Sequence, residues 1–178
     1  MILTLAGNAG SGKSAAARAL AKALQYKHYS TGDFVRALAK EKKMSILEFN
    51  KSIESDPAID SRIDSWVERL GKTEDNFVMD SRLAFHFIPQ SLKIFLTADF
   101  DVRAQRIFKD DRVSEEYQSL RALKEAMDKR EKSELKRYKK LYNLNYNNQK
   151  IYDLVIDTTK RSVQQVVDEI LRFVKRRE

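Results

Sequence analysis

The sequence predicts an α/β protein, in which helices cover both faces of a five-stranded parallel sheet to give a three-layer α/β/α fold. Short apolar runs alternate with amphipathic helical patterns along the chain. The first apolar run ends in a glycine-rich loop that opens a helix. The 178 residues fit one hydrophobic core, and neither repeats nor Pro/Gly-rich linkers divide them. We therefore expect a single domain over residues 1–178.

The first half of the chain is predicted to contain two strands and four helices. Residues 2–6 are a continuous apolar run, as in a buried parallel strand. Ser45 and Glu48 form a capping-box pattern at one helix start, and Pro57 suits the first turn of the next helix. The predicted strands are 2–6 and 26–29, and the predicted helices are 14–24, 31–43, 46–54 and 57–70.

The second half is predicted to complete the sheet and to cover it. Polar residues 109–116 interrupt a helical pattern, as expected of a short lid between two helices. Asp99 or Asp101 caps the helix before this lid. The predicted strands are 77–80, 93–96 and 151–157; a long charged helix ends near residue 141, and the last helix spans 162–175.

The composition excludes several classes of protein. Hydrophobic residues make up 42% of the chain, which is too apolar for a disordered protein. The absence of cysteine excludes disulfides and cysteine nucleophiles, and two histidines are too few for a multi-histidine metal site. No apolar run approaches the ~18–20 residues of a membrane span, and no signal peptide is recognisable. We expect a cytoplasmic monomer without membrane contact.

The net charge of +8 calls for an anionic partner. Residues 102–140 hold 13 Lys and Arg against 8 Asp and Glu, which is +5 of that +8. Three interpretations are open: a solvated helical face with i,i+4 ion pairs, a phosphate-binding lid, or a nucleic-acid surface. The spacing of the arginines favours the lid.

The loop after the first strand fits the phosphate-binding pattern G-x-x-x-x-G-K-[ST] at every fixed position. Its glycines allow a tight turn whose backbone N–H groups, with the helix N-terminus, attract phosphate. Lys13 is predicted to contact the β- and γ-phosphates of ATP, and Ser14 to coordinate Mg²⁺. The pattern predicts a P-loop NTPase fold, with an ATP site made of Gly7, Asn8, Ala9, Gly10, Ser11, Gly12, Lys13 and Ser14.

A P-loop alone does not distinguish a kinase from a motor-type ATPase or a switch GTPase. A switch GTPase usually carries an Asn-Lys-x-Asp motif late in the chain, and this sequence has none. A motor ATPase usually needs a longer chain and an arginine from a neighbouring subunit. The short chain therefore favours a kinase that uses Mg·ATP.

Five further segments behind the P-loop resemble the short archaeal type of cytidylate kinase, within the nucleoside monophosphate kinase group. The resemblance covers nearly the whole chain and implies phosphoryl transfer from ATP to CMP or dCMP. It also implies that the helices over about 31–70 bind the acceptor monophosphate. The segments are 30–36, 79–84, 102–107, 130–138 and 151–158.

The resemblance assigns residues to the acceptor. It places the acceptor phosphate on Arg36, Arg82 and Arg137, and arginine suits this role because its charged fork makes two parallel hydrogen bonds to phosphate. Asp33 is then expected to touch the acceptor's base or sugar.

Another acceptor group lies on one helical face, formed by Arg130, Glu134 and Arg137 at i, i+4, i+7 spacing. The family usually has aspartate at the position of Glu134, where it helps to recognise cytidine. The alternative is a salt-bridged helix surface that reads no base.

The donor side is predicted around the lid. Arg106 precedes the polar stretch and Arg112 lies within it, and we expect both to contact the moving phosphoryl group when the lid excludes water. The resemblance implies that Thr158 lines the adenine pocket. Asp80 ends an apolar strand, where it either joins Ser14 around Mg²⁺ or binds the acceptor.

Two other functions stay open on the sequence. One is a kinase for another small acceptor: AMP, UMP, dTMP or a non-nucleotide. The other is an ATP-dependent RNA-associated assembly factor that uses the basic segment and Lys175-Arg176-Arg177. The absence of an RNA-binding motif with interleaved aromatics argues against it, so we expect small nucleotides rather than nucleic acid as partners.

Overall fold

The computed structural model describes residues 1–109 and 117–177. Its five strands form one parallel sheet in the order β2-β3-β1-β4-β5, which confirms the predicted α/β class. The strands are β1 (Ile2–Gly7), β2 (Lys27–Ser30), β3 (Phe77–Asp80), β4 (Leu92–Thr97) and β5 (Leu154–Asp157). The helices are α1 (Lys13–Leu24), α2 (Thr31–Glu41), α3 (Ile46–Ser55), α4 (Pro57–Thr73), α5 (Ala84–Phe87), α6 (Phe100–Phe108), α7 (Leu120–Tyr142) and α8 (Val163–Val174).

Helices cover both faces of the sheet, and each face has its own apolar core. On one face α1 and α8 pack against the central strands, and Leu5, Leu20 and Ile170 are fully buried there. On the other face α4 and α5 pack against β3, where Met79 and Val67 are buried. Burial of each such side chain stabilises the fold by roughly 1.5–3 kcal/mol. None of the helices in the described ranges is long and apolar enough to cross a membrane.

The helix starts follow the capping signals of the sequence. The Ser45 side chain accepts from the Glu48 amide, and the Glu48 carboxylate accepts from the Ser45 amide at 2.9 Å, which confirms the capping box of α3. Asp99, rather than Asp101, caps α6 and accepts from two amides of its first turn. Pro57 begins α4.

The last predicted strand begins too early. Residues 149–151 form a single 3-10 turn, and β5 starts only at Leu154. The reason lies in Asp153, whose amide donates to the Lys93 carbonyl at 2.8 Å while its carboxylate accepts from the Lys93 amide at 2.9 Å. The side chain thus takes the place of a backbone partner. The predicted lid spans residues 109–116. Lys109 is the C-cap residue of α6, and residues 110–116 lie outside the described ranges.

The carboxyl ends of the parallel strands place the functional residues at one edge of the sheet. β1 ends at Gly7, β3 at Asp80 and β5 at Asp157, just before Thr158. In open parallel sheets ligands bind outside this edge, where the order of the strands reverses direction.

Candidate active site

The loop between β1 and α1 has the backbone of a phosphate-binding loop. Gly10 and Gly12 have φ angles of +79° and +81°, a left-handed region that favours glycine. None of the described side chains caps α1, and its first turn holds no acidic residue. The free N–H groups and the positive end of the helix dipole therefore remain available to phosphate.

Lys13 forms an ion pair with Asp80 at the end of β3. The Asp80 side chain is only 3% exposed and that of Lys13 is 17% exposed. Burial lowers the pKa of Lys13, and the attraction of Asp80 offsets only part of this shift. The ammonium of the P-loop lysine therefore lies against a buried carboxylate at the end of β3.

Ser14 and Asp80, the predicted Mg²⁺ ligands, supply one hydroxyl and one carboxylate. Ser14 lies in the first turn of α1, which the Lys13–Asp80 pair ties to the end of β3. Over residues 1–109 and 117–177, acidic and histidine side chains nowhere form a cluster of three that could hold a metal alone. This sparse donor set fits Mg²⁺ in a kinase, since that ion takes one or two protein ligands and completes its shell with phosphates and water.

Arg106 joins the P-loop to the segment after β5. Its guanidinium donates to the Thr158 carbonyl at 2.7 Å, to the Thr158 hydroxyl at 3.0 Å and to the Gly10 carbonyl at 3.4 Å. The Thr158 hydroxyl donates in turn to the Ser11 carbonyl at 2.9 Å. These bonds border a cavity of about 270 Å³ whose apolar lining is Ala16, Leu96, Val163 and Val166.

Glu134 is the centre of a cluster formed by residues that the sequence predicts for the acceptor. It is 7% exposed, and its Oε1 accepts from Arg82 Nη1 at 3.1 Å and from Arg130 Nε at 2.9 Å. Burial raises the pKa of Glu134, but the two arginines outweigh that effect and hold the pKa below its usual range. Its other oxygen, Oε2, has no hydrogen-bond partner in the described part of the chain. The i,i+4 pair on α7 therefore exists, although only its carboxylate is buried, and Arg82 from the loop after β3 adds a second cation to that carboxylate.

Arg137 pairs with α4 instead of Glu134. Its Nε lies 3.6 Å from Oδ2 of Asp60, which is 8% exposed, and its guanidinium lies 5.1 Å from the centre of the Tyr138 ring. Asp60 belongs to the helices predicted to bind the acceptor. Arg137 therefore links α7, on which it lies, to α4.

The residues predicted for the donor and for the acceptor meet near the end of β3, where Asp80 pairs with Lys13, and Arg82, two residues further on, pairs with Glu134. Arg82 and Glu134 both lie close enough to influence the pKa of Lys13, in opposite directions. The other two acceptor-side predictions lie elsewhere: Asp33 and Arg36 pair with each other on α2, and both side chains are more than half exposed. Arg112 lies outside the described residues.

Several buried polar residues near the site were missed by sequence reasoning. They are Asp60, Arg103 and Tyr146, of which Tyr146 is fully buried; Glu131, which pairs with Arg103 and is partly exposed, was missed as well. Helical spacing gave one usable signal, because Asp60 precedes the buried Val67 by seven residues and so shares its face. No local pattern distinguishes the other three from ordinary helix and loop residues.

Comparison with known proteins gives independent information. The sequence model of the cytidylate kinase-like family matches residues 2–160. The cytidylate kinase of Haloarcula marismortui is 37% identical over 177 residues, covering 98% of this chain and 90% of its own length. That of Methanobrevibacter smithii is 38% identical over 175 residues, covering 98% and 99%. Among solved structures, shikimate kinase from Acinetobacter baumannii in complex with shikimate matches with a TM-score of 0.66 over 99% of this chain and 94% of that one, at 16% identity, a likeness of fold alone.

Proposed function

Because this chain belongs to the cytidylate kinase-like family, its activity is the phosphorylation of CMP or dCMP by ATP, and we propose how its residues divide that work. The observation that supports the division is the position of Lys13. Lys13 belongs to the P-loop, and its ammonium pairs with Asp80, which stands two residues before Arg82; Arg82 in turn pairs with the buried Glu134. We therefore assign the ATP phosphates to the P-loop side of this ammonium and the acceptor phosphate to the side of Arg82.

The donor side binds ATP. The P-loop amides hold the phosphates, and Lys13 moves from Asp80 to the β- and γ-oxygens, where its charge offsets that of the transferred group. Arg106 and Thr158 border the cavity that takes the adenine end. Ser14 and Asp80 would hold Mg²⁺, which supplies charge neutralisation at the β- and γ-phosphates when bound.

The acceptor side binds the monophosphate. Arg82 and Arg137, joined by Arg36 on α2, hold its dianionic phosphate against the repulsion of ATP. Glu134 fixes Arg82 through Oε1, and its Oε2, which has no hydrogen-bond partner among the described residues, accepts from the exocyclic amine of cytosine. Asp33 contacts the base or sugar once α2 closes over the acceptor.

The reaction needs positioning more than covalent help from the protein. An oxygen of the acceptor phosphate attacks the γ-phosphorus, and the bond from that phosphorus to the β–γ bridging oxygen breaks, giving ADP and CDP or dCDP. Arg112 and the rest of the stretch 109–116 close over the phosphates and exclude water.

A single monomeric domain in the cytoplasm remains our prediction from the sequence.

The test is an acceptor panel. The protein is incubated with Mg·ATP and CMP, dCMP, UMP, AMP or dTMP, and the diphosphates are separated by chromatography. We expect CDP and dCDP at the highest rates, with UMP about one to two decades lower because its carbonyl faces a carboxylate. AMP as the best acceptor would contradict the proposal. Omission of Mg²⁺ serves as the control.

A further inference from the structure

A buried arginine outside the residues assigned above contacts the P-loop. Arg103, on α6, is 7% exposed, and its Nη1 donates to the Ala9 carbonyl at 3.2 Å. Its Nε donates to the Ala98 carbonyl at 3.2 Å, and both Nη atoms face the carboxylate of Glu131 on α7. The Arg103 guanidinium is therefore held by the segment after β4 and by α7 while it contacts the Ala9 carbonyl of the P-loop.

That contact fixes the direction of a P-loop amide. In a planar trans peptide the C=O and the following N–H point in opposite directions. Because the Ala9 carbonyl points toward Arg103, the Gly10 N–H points away from α6. The backbone of Arg103 packs closely as well: a Cβ on Gly10 would lie 2.5 Å from the Arg103 carbonyl oxygen. Both the side chain and the backbone of Arg103 thus restrain the Ala9–Gly10 peptide.

We propose that Arg103 is a positioning residue that holds the Ala9–Gly10 peptide with its N–H toward the phosphates of ATP, and that Glu131 holds Arg103 in turn. If this peptide turned over, the loop would lose a donor and present a carbonyl oxygen to an anion. The proposal rests on the proposed function only in requiring that the P-loop binds ATP.

Helix α7 then serves both substrates. Glu131 and Glu134 lie three residues apart on it, and each carboxylate holds an arginine from another part of the chain. Glu131 holds Arg103 behind the P-loop, and Glu134 holds Arg82 on the acceptor side. One turn of α7 therefore carries the carboxylates that hold both arginines.

The test measures ligand binding by Arg103→Lys, which keeps the charge but loses the fork. ATP and adenosine are titrated separately against the whole protein, without an acceptor, by calorimetry and NMR. We expect the Kd of ATP to rise about tenfold, the scale of one lost hydrogen bond to a charged group. The Kd of adenosine, which lacks phosphates, should change less than about twofold. The matched control is Arg121→Lys, since Arg121 lies on α7 with its side chain 91% exposed.

Glu131→Gln is the second variant, in case Arg103→Lys does not fold. It keeps the shape but removes the charge that holds the guanidinium, and we expect a rise in the Kd of ATP of about threefold or more. An ATP affinity within twofold of wild type in a folded variant would overturn the proposal, and so would an equal loss for ATP and adenosine. Failure of the proposed function looks different: wild-type protein would bind ATP but not phosphorylate CMP.

Discussion

The ion pair between Lys13 and Asp80 predicts that loss of the P-loop lysine affects stability as well as catalysis. In Lys13→Met the Asp80 carboxylate, 3% exposed, loses its cation. Removal of one partner from a fully buried pair costs about 3–5 kcal/mol. Because the Lys13 side chain is 17% exposed and water reaches it, we expect about 2–3 kcal/mol less free energy of unfolding.

A second substitution separates the two effects. In the double variant Lys13→Met, Asp80→Asn both charges are gone, so most of the lost free energy of unfolding should return. Catalysis should not return, because the ammonium that offsets charge on the transferred phosphoryl is still missing. We expect turnover at least about 100-fold below wild type in both variants.

Urea unfolding without nucleotide, followed by circular dichroism, measures the first effect, and a coupled assay measures the second. If Lys13→Met is as stable as wild type, the buried pair contributes nothing in solution and the reasoning is wrong. Near-normal turnover in either variant would refute the P-loop assignment.

Three further predictions follow from the contacts of the site. Arg106→Ala removes the bonds to Thr158 and should raise the KM of ATP about tenfold while that of CMP stays nearly constant; equal changes would mean that Arg106 does not serve the donor. Glu134→Gln should lower the ratio of kcat/KM for CMP to kcat/KM for UMP, because an amide donates as well as accepts. An equal loss of kcat/KM on both acceptors would mean that Glu134 only binds its arginine partners and does not contact the base. Burial raises the pKa of Asp64 to about 6, against the hydrogen bond that Tyr142 donates at 2.6 Å. Since this pKa is above its unfolded value, the stability that protonated Asp64 provides below about pH 4 is lost as the pH rises through 6. In Asp64→Asn the fall in free energy of unfolding between pH 4 and 7 should be smaller by about 1–2 kcal/mol, after allowance for partial exposure; an unchanged profile would contradict the shift.

The sequence predicts the fold well because its signals are local. The alternation of apolar runs and helical patterns places all five strands, and the P-loop identifies the first strand and helix without ambiguity. The error at the last strand has a local cause as well. The Asp153 carboxylate, rather than a backbone carbonyl, accepts from the Lys93 amide. A pattern of hydrophobic residues cannot predict such a contact.

The site is predicted only in part, because ion pairs depend on distant contacts. The Arg130–Glu134 pair follows from helix geometry, but Arg82, which reaches the same carboxylate, is 52 residues away. Arg103 lies three residues before Arg106 on the same helix, and arginine is a residue type that is usually exposed. Arg103 is buried because α6 packs between the P-loop and α7. The spacing of residues along the sequence does not predict that packing.

We propose that the donor phosphates bind at the P-loop and the acceptor phosphate beyond Lys13, at Arg82 and Arg137. The most direct test is steady-state kinetics of Arg137→Ala with CMP and ATP varied in turn, against the exposed control Arg121→Ala. We predict a KM for CMP at least about tenfold above wild type, the cost of losing charged hydrogen bonds to phosphate, and a KM for ATP within about twofold. Equal weakening for both substrates would show that Arg137 does not distinguish them, and would contradict the division of the site.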